Sequence, residues 1–337
     1  RTALEVCKEM IQEVECVNKY RDKKLILVFV CRTFDFKNDS GIKGLFLKPE
    51  DKNDDLTWNE IIISEINDEN VKAIVGATYQ NFSKKLQTLL RTPSNLYIWT
   101  NIEEKKRINT YSTSSDLVKQ WWEQLLYNYE IINNSSIQLV ELKDKIINNI
   151  DRTGKLMIPI QLLGNYSVLG KEYLLSNGLL LLNGNKLGFV HQSIYDYFSM
   201  EKMLTRIFEG DSIINIIGPR IKQTPMKRYH LQMLFENLMD YDTDRFINIG
   251  RELLHNEEVR FYMKYVFLEV LGQAESISQN MKAFLNEFLS NKYWKNYIVD
   301  TVFMNHPIFI RFLIQDGYIT TLLKSEHDKD TGIILLR

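Results

Sequence analysis

The sequence predicts a mostly α-helical protein that opens on a partial α/β segment. One ground is the continuous aliphatic run Leu25-Ile26-Leu27-Val28-Phe29-Val30-Cys31, whose lack of polar alternation suits a strand buried on both faces of a parallel sheet. A second is the long stretch after Asn67, where apolar residues recur three and four apart. A third is the step Asn183-Gly184-Asn185 between two short apolar runs, the strongest local signal of a β-hairpin.

The first segment spans residues 1–66. Ala3, Val6, Cys7, Met10, Ile11 and Val14 fall on one face of a helix. The strand at 25–31 follows, and 58–66, with Ile61, Ile62 and Ile63 at its centre, is a second candidate strand. Two strands cannot bury two apolar faces, so further strands are expected upstream of Arg1, and the sequence reads as beginning inside a longer chain. Residues 1–66 are therefore expected to be the remnant of a parallel-sheet domain.

Residues 67–135 read as a helical domain with helices near 68–76, 83–91, 94–108 and 115–131, Pro93 separating two of them. In residues 136–208 a helix at 136–151 and another at 168–175 lead into the hairpin, and a further helix covers 191–207. Helices followed by a two-stranded wing describe a winged-helix domain. Residues 209–337 carry helical periodicity interrupted near Gly218, Thr224, Asp240, Gly272, Asn291, His306 and Gly317, the pattern of an α-helical array without a clean repeat.

Forty-two basic residues face forty-three acidic ones, a net charge of −1, so no excess charge drives binding to nucleic acid. Cys7, Cys16 and Cys31 form no CxxC pair, which suggests reduced thiols and a cytoplasmic location. The longest apolar runs fall far short of the roughly 20 residues needed to cross a bilayer. No nucleophile elbow, metal spacing or paired-carboxylate motif occurs, so neither a catalytic residue nor a metal ligand is expected. Trp121 and Trp122 point to different faces of one helix, which suits core packing, with one of them at an interdomain contact.

Three segments, in order, resemble STAND NTPases, the group of NACHT-type immune receptors and bacterial antiviral STAND proteins. Leu27-Val28-Phe29-Val30-Cys31-Arg32-Thr33-Phe34-Asp35 is similar to their sensor-1 strand. Leu89-Leu90-Arg91-Thr92-Pro93-Ser94-Asn95-Leu96 is similar to their proline motif. Gly188-Phe189-Val190-His191-Gln192-Ser193-Ile194-Tyr195-Asp196-Tyr197-Phe198 resembles their winged-helix signature and is the most specific of the three. The resemblance spans about residues 1 to 207. It implies that Arg32, supported by Asp35, reports on the γ-phosphate of ATP, that Pro93 packs near base and sugar, and that His191, supported by Gln192, touches the β-phosphate of ADP in a closed resting state. It further implies ATP/ADP with Mg²⁺ as cofactor of the complete protein, an upstream nucleotide-binding half and effector domain, a protein trigger of phage origin sensed by the array, and self-association on activation.

The departure is equally specific. No GxxxxGK[ST] occurs, and no apolar strand ending in paired acids stands before the sensor-1 segment, so this chain by itself is expected to neither hydrolyse ATP nor bind nucleotide tightly. The alternatives are a helical protein-interaction module without nucleotide function and, less favoured because helix 191–207 mixes Asp196, Glu201, Lys202 and Arg206 with aromatics, a DNA-binding winged helix.

Overall fold

The computed structural model describes residues 3–31, 40–46, 61–107, 111–291, 293–303, 307–315, 317–324 and 332–333. The chain divides into two compact units, Arg1–Ile66 and Asn67–Arg337.

In the first unit, α1 (Ala3–Asn18) forms over the periodic stripe that begins at Ala3, and α2 (Ser40–Phe46) follows. Asn18 closes α1 onto the next segment: its side chain accepts from the Leu25 amide at 2.7 Å and donates to the Leu25 carbonyl at 3.0 Å. The α/β start is corrected here. Among the described residues of this unit there is no strand, and 25–31 and 61–66 are coil. Ile26, Val28 and Val30 are more than three-quarters exposed, as are Ile61 and Ile63. The physical reason is that an aliphatic run becomes a buried strand only beside hydrogen-bonding neighbours and under two covering layers. Composition alone supplies neither.

The second unit is helical apart from one small sheet. Asn67 caps α3 (Asp68–Val75), accepting from the Asn70 amide at 2.8 Å, and Ser83 caps α4 (Lys84–Leu90). Pro93 occupies the first helical position of α5 (Pro93–Asn101), where its missing N–H costs nothing. A capping box between Thr113 and Asp116 starts α6 (Ser114–Asn133), and Asn134, in the left-handed region at φ 58°, ends it.

Next come α7 (Ile137–Thr153), β1 (Ile158–Pro159), a short 3₁₀ turn at Ile160–Leu163, α8 (Val168–Ser176), β2 (Leu180–Asn183) and β3 (Lys186–Phe189). The hairpin forms as expected. Gly184 at φ 55° makes the two-residue turn, and Leu182 pairs with Leu187. The sheet is antiparallel in the order β1-β3-β2, with Ile158 opposite Leu187. β1, with only two residues, gives no periodicity to read.

From α9 (Gln192–Phe208) the chain runs through α10 (Ile213–Ile217), α11 (Pro225–Tyr241), α12 (Thr243–His255), α13 (Phe261–Leu271), α14 (Gln279–Leu289), α15 (Lys295–Ile298), a π-helical turn at Val299–Phe303, α16 (Pro307–Gln315) and α17 (Tyr318–Lys324). Phe235, Phe246, Phe267 and Phe284 are fully buried and contact one another through α11–α14, Phe235 with Phe246 and Phe267 with Phe284 edge to face and Phe246 with Phe267 tilted at 35°. Trp121 and Trp122 are both buried, and Trp122 meets Phe198 of α9 at 5.2 Å, so it joins the helices after Asn67 to the element that follows the hairpin.

Candidate functional site

His191 stands where β3 ends and α9 begins. As N-cap it has extended backbone angles, φ −129° and ψ 142°, and its side chain makes no capping hydrogen bond. The Nε2 atom is shielded from solvent without a hydrogen-bond partner, and Ser193 Oγ two residues later is in the same condition. Burial holds the imidazole below its ordinary pKa, so at neutral pH it is uncharged and carries a single N–H. The first two amides of α9, those of Gln192 and Ser193, have no intrahelical acceptor by construction, and the first turn contains no acidic residue. Two shielded, unpartnered polar groups thus stand at the positive end of a 17-residue helix, where an anion is favoured.

Pro93 reaches the same neighbourhood through its helix. Tyr97 lies four residues after Pro93 and so on the same face of α5. Its ring stands at 84° to the His191 imidazole with centroids 4.9 Å apart, and its hydroxyl donates to the Gly178 carbonyl at 3.0 Å. Pro93 itself is exposed at the helix start, and Gln192 is half-buried. Compared with protein-family models, curated proteins and solved structures, the chain gives no match. Arg32 and Asp35 lie outside the described residues.

Beyond its first turn, α9 is tied to its neighbours by polar side chains. Asp196, 3% exposed, has its Oδ1 2.8 Å from Nε2 of His230, also 3% exposed, on α11. Tyr195 packs edge-on against the His230 ring at 5.1 Å and donates its hydroxyl to Asp151 Oδ1 of α7 at 2.8 Å, while Lys202 donates to Asp151 Oδ2. Burial is the first cause that raises the Tyr195 pKa, with the Asp151 carboxylate second, so the phenol keeps its proton. Lys227 donates to the carbonyls of Ile216 and Ile217, and burial lowers its pKa.

Asp196 belongs to the winged-helix signature and to the mixed charges of its helix, and nothing in the spacing of 196 and 230 joins it to His230. Tyr97 carried a legible signal, since i+4 from Pro93 places it on the proline's face. No group of three or more His, Cys, Asp or Glu side chains among the described residues could hold a metal ion, and no described helix is long and apolar enough to cross a membrane.

Proposed function

We propose that this chain is part of a STAND-type nucleotide-dependent signalling switch. In this reading residues 136–208 form a winged helix that holds ADP in the closed state through His191, and the helices after 209 sense a protein trigger. The observation that carries it is the pair of shielded, unpartnered groups, His191 Nε2 and Ser193 Oγ, at the start of α9, within the segment whose sequence most closely resembles the family's signature. A neutral imidazole N–H suits a phosphate oxygen, and the open amides of the first turn favour the same charge. The order helix, strand, helix, hairpin, with strands arranged β1-β3-β2, supports the winged-helix assignment. The contact of α5 with His191 through Tyr97 supports a nucleotide bounded by Pro93 on one side and the imidazole on the other. Arg32, supported by Asp35, is this chain's own reporter of the γ-phosphate in that reading, the phosphate-binding loop and the Mg²⁺ site belong to the proposed upstream half, and antiviral signalling and self-association rest on the resemblance.

Calorimetric titration of ADP and ATP tests this, with the chain alone and with a P-loop half supplied on the same polypeptide. Binding only in the joined protein, with ADP affinity weakened about tenfold or more by His191→Ala, is the expected result; a tenfold change corresponds to about 1.4 kcal/mol. Absence of binding in both, or an unaltered affinity in His191→Ala, overturns it and leaves a helical interaction module.

A further inference from the structure

The connection between α10 and α11 is held with unusual care for a surface loop. Gln223 is 2% exposed and uses its whole side-chain amide on the backbone around it: Nε2 donates to the carbonyls of Gly218 (3.0 Å) and Glu258 (3.1 Å), and Oε1 accepts from the Arg260 amide (2.7 Å). The Tyr262 hydroxyl donates to the Gln223 carbonyl, and Arg260 Nε to the Arg220 carbonyl at 3.0 Å. What this scaffold presents is apolar and cationic. Ile221 is 84% exposed between the exposed Arg220 and Lys222. Arg260 adjoins them through its bond to the Arg220 carbonyl, and Phe261, 41% exposed, leads into an aromatic cluster with Trp294 stacked at an angle of 4° and the exposed Tyr293.

Several arginines of the neighbouring helices are committed to carboxylates. Arg206, Arg228, Arg245 and Arg251 each form an ion pair with a carboxylate: Asp211, Glu269, Asp242 and Glu287 respectively. Among the described residues no carboxylate pairs with Arg220, Lys222 or Arg260. Glu258 and Glu257 are the nearest carboxylates to Arg260 by sequence; both are exposed and neither pairs with it, and the field of Glu257 acts on Lys264, whose Nζ is already committed to the Leu254 carbonyl. A rigid loop with an aliphatic tip, three unpaired cations and a flanking aromatic edge has the composition of an interface centre, and its fixed backbone removes the ordering cost that a mobile loop would impose on binding.

We propose that Arg220, Ile221, Lys222, Arg260, Phe261 and Tyr293 form a docking surface for an acidic protein segment that carries apolar side chains. The cations complement its carboxylates, while Ile221 and the aromatic edge take its apolar groups. An aliphatic tip fits a protein better than a nucleic acid, which would want open ring faces for its bases. This rests on reading the helices after 209 as the sensing part, and it names the chemistry of what they sense.

The test is fluorescence anisotropy with the full chain and a labelled peptide of alternating glutamate and leucine, beside oligoglutamate of equal charge and an oligothymidylate. The peptide is expected to bind, and Ile221→Asp or the pair Arg220→Glu/Lys222→Glu to weaken it about tenfold or more, with oligoglutamate weakened comparably. Circular dichroism confirms that these exposed substitutions leave the fold intact. The triple charge reversal including Arg260→Glu is expected to accept a lysine–leucine peptide instead. No peptide binding, indifference to Ile221→Asp, or oligothymidylate bound as tightly as the peptide overturns the proposal. No nucleotide enters the assay and His191→Ala leaves it unaltered, so its failure and failure of the switch reading are separate results.

Discussion

Asp196 Oδ1 and His230 Nε2 lie 2.8 Å apart with both side chains almost wholly removed from water, and they are the polar centre of the contact between α9 and α11. Removing one member strands the other. His230→Ala is expected to cost about 3 kcal/mol of unfolding free energy, because the Asp196 carboxylate is left buried without that partner. Asp196→Leu/His230→Leu should cost less than the single variant, since apolar groups replace both ends of the pair. Urea unfolding of the three proteins measures this; a double variant weaker than the single one contradicts it.

Gly250 of α12 is in contact with the Phe267 ring of α13, and a Cβ there would overlap that ring, which Phe235, Phe246 and Phe284 hold in place. Gly250→Ala is expected to lower stability by about 1–3 kcal/mol despite its gain in helix propensity. Phe267→Leu in the same background should restore part of the loss, read as a shift in thermal midpoint.

Gly178, at φ 72°, carries the carbonyl that accepts from Tyr97, and a Cβ at this position would collide with the Tyr97 hydroxyl. Gly178→Ala therefore combines a left-handed backbone with a displaced ring. Tyr97→Phe loses only the hydrogen bond, about 1 kcal/mol. Amide exchange in β2 and in the first turn of α9 should quicken in the glycine variant and change little in the phenylalanine one.

Two half-buried groups give opposite pH slopes. Burial raises the Glu236 pKa in the folded protein, outweighing its bond from Gln232, so its contribution is present below the ordinary carboxylate range and is lost as pH rises through the raised value. Burial lowers that of His191, so its contribution is present above the ordinary value of 6.5 and is lost as pH falls through the lowered one. Glu236→Gln should gain on the parent protein as pH rises through the acid range, and His191→Gln as pH falls below about 6.5. Urea midpoints across pH 5–7.5 decide both signs.

Local chemistry made the second unit readable. Asn67, Ser83, Thr113 with Asp116, and Asn183-Gly184-Asn185 fix ends and turns by contacts within a few residues, and helices and hairpin lie close to their expected spans, except that the helix expected at 94–108 ends at Asn101. The runs 25–31 and 58–66 failed as strands where they are described, because strand formation is decided by neighbours that the run does not contain. His191 was legible from its motif; Tyr97 was missed, although its spacing to Pro93 places it on the proline's face of α5. His230, thirty-four residues from Asp196, and Gln223, thirty-seven from Arg260, were not legible, since their partners are set by how helices pack.

Tyr97 is a single part serving two masters. Its ring touches His191 and its hydroxyl holds the root of the hairpin at Gly178, so α5 cannot shift without the imidazole and the hairpin both feeling it. A genetic screen would find substitutions at 97 that reproduce, in one protein, the combined defects of separate lesions at 178 and 191.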